Sequence, residues 1–322
     1  MIKLGIIGLG NVSLGVHLPI LMSRTDIQIV WIYDKSIAVK DVCKKINIPF
    51  FSELDHALKF TSPEIVLIAT PYNTRSDIFK KIKNKVSGVY CEKPFALSSG
   101  EHFEYMSGYE KYAFTIGYQR RALGNVQILK DIVFNNLFNN IKEIIIEFGD
   151  LHYSFGTFGT NKLIAGGGIL FESGSHWIDT ALYISDAIKI ENFKKEVKYE
   201  DDLDVHGTGQ FDIYNKDNHM INCRFKFSSI ENTSNKITFK FDNCHIDLYL
   251  YEDNSNLVIK TKDEKQFILN DYSMDNYPND SISQGAKYWE VFLQSYKNKK
   301  ISYSCSDDLL LTTQIIELYY AK

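Results

Sequence analysis

Three clusters of residues in this chain have types and spacings that can do chemistry. The first is Gly8-Leu9-Gly10-Asn11-Val12-Ser13, which follows an apolar run ending at Ile7, with Asp34 closing the next apolar run, Ile27 to Tyr33. Gly8 permits a tight turn out of a strand. Gly10 lets backbone N–H groups approach a pyrophosphate at the positive end of a following helix. Asp34 then stands where a carboxylate accepts hydrogen bonds from an adenosine ribose, the order a dinucleotide site requires. A carboxylate there repels a 2'-phosphate and favours NAD over NADP, whereas Lys35 beside it weakens that preference. Ser13 takes the place of the third glycine of the fingerprint.

The second cluster is Glu92-Lys93-Pro94, which follows an apolar run ending at Cys91. A lysine at the carboxyl end of a parallel strand faces the edge at which such sheets bind ligands, and Pro94 restricts the backbone that aims it. The third runs from Gly166-Gly167-Gly168 to Glu172, His176 and Asp179. Glu172 and His176, four apart, share a helix face, and Asp179, three beyond, could orient the imidazole. Taken singly, each has a plainer reading: a glycine turn, a solvated lysine, a core histidine. Hydride transfer from a secondary alcohol needs a base for the hydroxyl proton, which a histidine with an ordinary pKa of about 6.5 can be, and a lysine can stabilise a developing alkoxide.

The elements that must position these groups follow from periodicity. In the first third of the chain, runs at 27–33, 65–69, 86–91 and 113–117 read as strands. Between them, 36–46, 73–84 and 98–110 read as helices, with Ser98 as an N-cap. That alternation specifies a parallel sheet with helices on both faces. The second part reads differently: one helix at about 169–185, then strands at 188–199, 205–214, 220–227, 236–241, 246–251, 257–261 and 266–269, a mostly antiparallel open sheet. Helices at 281–297 and 306–321 follow. The predicted fold class is therefore α/β, a Rossmann parallel sheet plus a second α/β domain, divided into residues 1–118 and 119–322.

The motifs, in this order and spacing, resemble the glucose-fructose oxidoreductase, inositol dehydrogenase and rhizopine-catabolism (Gfo/Idh/MocA) family nearly end to end. Ala69-Thr70-Pro71, Gly117-Tyr118-Gln119-Arg120-Arg121 and Ser306-Asp307-Asp308 add to the likeness. The resemblance implies a catalytic set of Lys93, His176 and Glu172 at a site between the domains, with Glu172 where the family usually has an aspartate. Arg75 stands where many members carry a histidine. On the cofactor side the expected residues are Gly8, Gly10, Asn11, Val12, Asp34, Lys35, Thr70, Pro71 and Glu92. The open sheet of the second domain implies a homo-oligomer, a dimer or tetramer. The substrate expectation is a sugar, polyol or nucleotide-linked sugar, with Arg120, Arg121 and Lys162 for an anionic group and His152, Tyr153 and Trp177 for a sugar ring. Two other readings stay open: transient oxidation within a net hydrolysis or elimination, and a catalytically silent NAD-binding sensor.

Composition narrows the partners. A net charge of -4 over 322 residues provides no pull toward nucleic acid or anionic lipid, and the Lys80, Lys81, Lys83, Lys85 run reads as a solvated helix face. Five scattered cysteines without CxxC spacing imply reduced thiols and no metal site. With no long apolar run and an N-terminal stretch interrupted by glycines, Asn11, His17 and Pro19, the expected location is the cytoplasm.

Overall fold

The computed structural model describes residues 1–155, 166–250, 256–270, 281–305 and 308–321. The chain divides into two compact units. The first takes in Met1–Phe95, Gly100–Tyr118 and Ser281–Ser306, and the second Ala96–Ser99, Gln119–Asp280 and Asp307–Lys322.

Unit 1 is built on six strands, β1 (Ile2–Ile7), β2 (Ile27–Tyr33), β3 (Phe50–Phe51), β4 (Ile65–Ile68), β5 (Gly88–Cys91) and β6 (Phe114–Ile116), ordered β3-β2-β1-β4-β5-β6. All neighbouring pairs are parallel. The strands are apolar and buried along nearly their whole length because a parallel sheet is covered on both faces. Gly5 leaves the space that the Trp31 indole fills; a Cβ there would lie 2.4 Å from the ring. The helix Ser281–Asn298 belongs to this unit and stacks Trp289 on Tyr90 of β5, ring centroids 4.2 Å apart. This corrects the division expected from sequence, which put all of 119–322 in a second domain: the aromatic rings Tyr288, Trp289 and Phe292 bury themselves against unit 1.

His102, in the helix Ser99–Met106, is 2% exposed and lies edge-on to Phe95. Burial pushes its imidazole down to about 4. The unfolded chain takes up that proton near pH 6.5, so stability is complete above about 6.5 and falls as the pH drops toward 4. The loss across this window is about 3 kcal/mol. Urea unfolding at neutral and acid pH should show it, and His102→Phe should flatten that part of the profile; an unchanged profile would remove His102 as its cause.

Unit 2 carries an eight-stranded sheet of β7 (Glu143–Gly149), β8 (Ala187–Glu200), β9 (Leu203–Asn215), β10 (Met220–Ser228), β11 (Lys236–Lys240), β12 (Cys244–Leu248), β13 (Asn256–Thr261) and β14 (Gln266–Asn270). Their order is β14-β13-β12-β11-β7-β10-β9-β8, antiparallel except where β7 runs parallel to β10. Alternation is strict on the central strands. Ile144, Ile146, Phe148, Phe225, Phe227, Ile237 and Phe239 are buried, with Phe148 packed on Trp177 of the helix Ser175–Ile184 and Phe225 on Tyr319 of the helix Leu309–Tyr320. Glu143 and Lys240 pair at 2.8 Å on the other face. The expected fold class is what the chain adopts.

Candidate functional site

In unit 1 the turn after β1 is closed by contacts that explain each residue type. Gly8 has φ +95°, and a Cβ there would lie 2.6 Å from the Ala69 carbonyl oxygen and 2.7 Å from the Thr70 methyl, so the turn after β4 packs directly on it. The Ser13 hydroxyl donates to the Gly8 carbonyl at 2.7 Å and is 1% exposed. That bond is how a hydroxyl fits where the fingerprint has its third glycine. Leu9 N–H donates to Asp34 Oδ2 and Ser36 N–H to Asp34 Oδ1, both at 2.7 Å. Asp34 therefore braces the turn as well as standing at the end of β2.

A nicotinamide dinucleotide fits this arrangement. A Cβ on Gly10 would meet nothing within 4 Å, so the turn is open on the side where a pyrophosphate would approach. A helix begins at Asn11, directly after the turn, so the positive end of its dipole lies there. Asn11, Val12 and Lys35 are exposed and Thr70 and Pro71 partly so. Thr70 Oγ1 accepts from Thr74 Oγ1 at 2.8 Å.

Lys93, partly exposed, follows the carboxyl end of β5, the same edge of the sheet as the glycine turn. Its N–H donates to Glu92 Oε2 at 3.1 Å, and the Lys93–Pro94 peptide is cis. Arg75, 2% exposed, donates from Nη1 to the carbonyls of Pro94 and of Phe95, the latter at 2.9 Å. Glu92 is itself buried, with Oε1 2.8 Å from His17 Nε2. Both of its oxygens serve the protein, as both oxygens of Asp34 do, but those of Glu92 are buried. His17 and Trp289 were invisible to motif reading, being 75 and 272 residues from their partners.

In unit 2 the glycine segment leads into a π-helical turn, Leu170–Gly174, and then the helix Ser175–Ile184. The segment is shaped by Asp204 of β9, a residue without a sequence signal. Asp204 is fully buried and accepts from Gly168 N–H at 2.6 Å, Leu170 N–H at 3.0 Å and the Tyr320 hydroxyl at 2.7 Å. Burial pushes its carboxyl above the ordinary range, and the three donors pull it back. Cβ atoms on Gly167 and Gly168 would lie 2.3 Å from the Tyr320 hydroxyl and the Asp204 carbonyl oxygen, respectively. Glu172 is partly exposed on the π turn, and His176 is 8% exposed on the helix that follows. The turn is wider than an α turn, so the pair departs from the simple four-residue spacing expected.

Three expectations need correction. Asp179 does not serve the His176 ring with its carboxylate: its oxygens lie 2.6 and 2.8 Å from the Arg121 guanidinium, and Thr312 donates to it. Arg121 is fully buried, with Asp308 as a second carboxylate at 3.2 Å and Tyr183 beneath it, so it is an internal strut and not a substrate contact. Trp177 is 1% exposed, packed on Phe148, and has no face for a sugar. The remaining substrate candidates are spread through unit 2. Arg120 donates one nitrogen to the Leu250 carbonyl, and His152 is exposed. Tyr153 shares a 2.8 Å hydrogen bond with Ser173 on the π turn. Lys162, Ser306 and Asp307 lie outside the described residues. Among the described residues no cluster of metal-ligating side chains occurs, and no helix is long and apolar enough to cross a membrane.

Known proteins give the same outline. Residues 2–115 match the family model for an oxidoreductase family with an NAD-binding Rossmann fold, Gfo/Idh/MocA. The whole chain is 23% identical to glucose-6-phosphate 3-dehydrogenase of Bacillus subtilis, covering 96% of that protein. It is 25% identical to D-glucoside 3-dehydrogenase of Escherichia coli over 57% of this chain and 54% of that one. In fold it is similar to an aldose-aldose oxidoreductase from Caulobacter crescentus solved with glycerol, with TM-score 0.78 at 15% identity, covering 99% of this chain and 96% of the other. The glycine turn, Asp34 and Lys93 all lie within residues 2–115, the part of the chain that matches the NAD-binding Rossmann domain of the Gfo/Idh/MocA oxidoreductase family.

Proposed function

We propose that the protein oxidises a secondary hydroxyl of a glucose-type sugar with NAD, or runs the reverse reduction. The observation that carries this reading is the conjunction in unit 1 of an open dinucleotide turn with a lysine whose main chain is held at the same sheet edge. The nicotinamide supplies a hydride acceptor when bound. Gly8, Gly10 and the helix beginning at Asn11 would hold its pyrophosphate, and Asp34 its adenosine ribose. His176 takes the hydroxyl proton as the C–H bond breaks, and Lys93 hydrogen-bonds the same oxygen and stabilises its developing charge. Glu172 keeps the pair in register. Both curated relatives are named for oxidation at carbon 3 of a glucose unit, which makes a glucoside or a glucose phosphate the substrate class to try first. Arg120, partly exposed, would be a cation for a phosphate.

The purified protein with NAD should reduce it in the presence of glucose 6-phosphate or a simple glucoside, seen as rising absorbance of the reduced nicotinamide. NADP should serve less well by about tenfold, a 1.4 kcal/mol penalty for a 2'-phosphate at Asp34. Absence of turnover with either cofactor across sugars and nucleotide sugars would refute the reading. Product formed without net reduced cofactor would replace it with transient oxidation.

A further inference from the structure

The peptide that carries Lys93 is gripped through a buried chain of side chains brought from three distant parts of the sequence. Trp289 donates its indole N–H to His17 Nδ1 at 2.9 Å, and His17 Nε2 meets Glu92 Oε1 at 2.8 Å. Glu92 Oε2 then accepts the Lys93 N–H at 3.1 Å. An indole nitrogen only donates, so His17 Nδ1 must be the acceptor and Nε2 must carry the proton toward Glu92. Protonating Nδ1 would set two N–H groups against each other. His17 is thus held neutral, in one tautomer, and Glu92 receives two N–H donors. The site is shaped for this carboxylate: a Cβ on Gly117 would lie 2.7 Å from Glu92 Oε1. Trp289 is fixed in turn by its stack on Tyr90, two residues before Glu92 in the chain.

We propose that Glu92 is a positioning residue for Lys93, acting through the tautomer that Trp289 imposes on His17, and that it is not a cofactor contact. The inference rests on the dehydrogenase reading, in which Lys93 touches the reacting oxygen. A carboxylate is required because it accepts on both sides. In Glu92→Gln the amide has one acceptor and one donor, while His17 Nε2–H and Lys93 N–H both need acceptors; one of the two ties is lost. Removing the indole donor releases the tautomer. In the double variant Glu92→Gln with Trp289→Phe, His17 can move its proton to Nδ1 and accept from the amide NH2, which returns the amide oxygen to Lys93 N–H.

The test is this cycle of variants, read in two ways. Glu92→Gln should lower kcat by about 10²-fold, the cost of a misplacement near 1 Å, with the NAD dissociation constant within about threefold of the parent. The double variant should recover at least about tenfold of that loss. Independently of turnover, the Lys93 amide should exchange with solvent slowly in the parent, faster in Glu92→Gln, and slowly again in the double variant. In the unaltered protein, nitrogen NMR should show His17 as the neutral Nε2–H tautomer, a result that needs no variant to fold. A protonated or Nδ1–H imidazole overturns the proposal. So does weakened NAD binding with kcat retained in Glu92→Gln, or a double variant whose losses add. If the parent oxidises no sugar, the dehydrogenase reading fails alone, and the tautomer and the exchange series still decide whether Glu92 holds Lys93.

Discussion

Replacing Lys93 by Met leaves the protein folded and able to bind NAD, and lowers sugar oxidation by about 10³-fold. Methionine keeps most of the side-chain length and removes the ammonium. The bonds that fix this segment run to the Lys93 N–H and to the Pro94 and Phe95 carbonyls, so they survive the change. The contacts that hold the dinucleotide turn, Gly8 on Ala69 and Asp34 on the Leu9 and Ser36 amides, do not involve the lysine side chain. Binding and chemistry should therefore separate, with NAD titration unchanged and single-turnover rate lost. Turnover near that of the parent would take Lys93 out of the chemistry, and lost NAD binding would make it a cofactor contact.

Gly168→Ala should have the largest effect on stability. The added methyl would sit 2.3 Å from the Asp204 carbonyl oxygen, 2.7 Å from its Oδ1 and 2.8 Å from its backbone nitrogen. Two of these are main-chain atoms of β9, which is paired on both sides, to β8 and to β10, and has no room to retreat. Relief would have to come from displacing the glycine segment, which breaks the Gly168 and Leu170 bonds to a fully buried carboxylate. Overpacking and a stranded carboxylate together should cost about 4 kcal/mol or more. Denaturant unfolding measures it. Gly10→Ala is the matched control, since a Cβ there meets nothing within 4 Å, and its unfolding free energy should stay within about 0.5 kcal/mol of the parent. Equal stability in the two variants would mean that the Gly168 contact is not as close as the structure places it.

The dinucleotide half was legible because its signals are local. Apolar runs, a glycine turn and a terminal carboxylate within 34 residues specify β1, the turn and β2 with little help from the rest of the chain. The strands β8 to β11 were legible for the same reason, through alternation, although in β8 it shifts phase where the register to β9 slips. Periodicity assigned no element to Glu143–Gly149, yet this strand sits mid-sheet between β10 and β11, and the helix Gly124–Phe134 was likewise unread. Arg121 and Trp177 show a second limit. Their residue types suit anion binding and ring stacking, but burial decides their use, and burial depends on Asp179, Asp308 and Phe148, which lie far away or across a sheet. Asp204 had no signal at all: a single acid between Leu203 and Val205 reads as part of a strand, and its three donors are known only once β9 lies under the glycine segment.

The helix that completes the dinucleotide unit is encoded long after the strands it covers, and this bears on synthesis. When residue 118 leaves the ribosome all six strands of that unit exist, but Tyr90 has no indole against it and His17 has no donor on Nδ1. Chains emerge at about 5–20 residues per second, so roughly ten to thirty seconds pass before Trp289 arrives. Throughout that interval the nascent unit presents the apolar groove that the helix Ser281–Asn298 later fills. The growing polypeptide must be kept from aggregating through that surface, and the lysine peptide acquires its full set of restraints only once Trp289 has emerged.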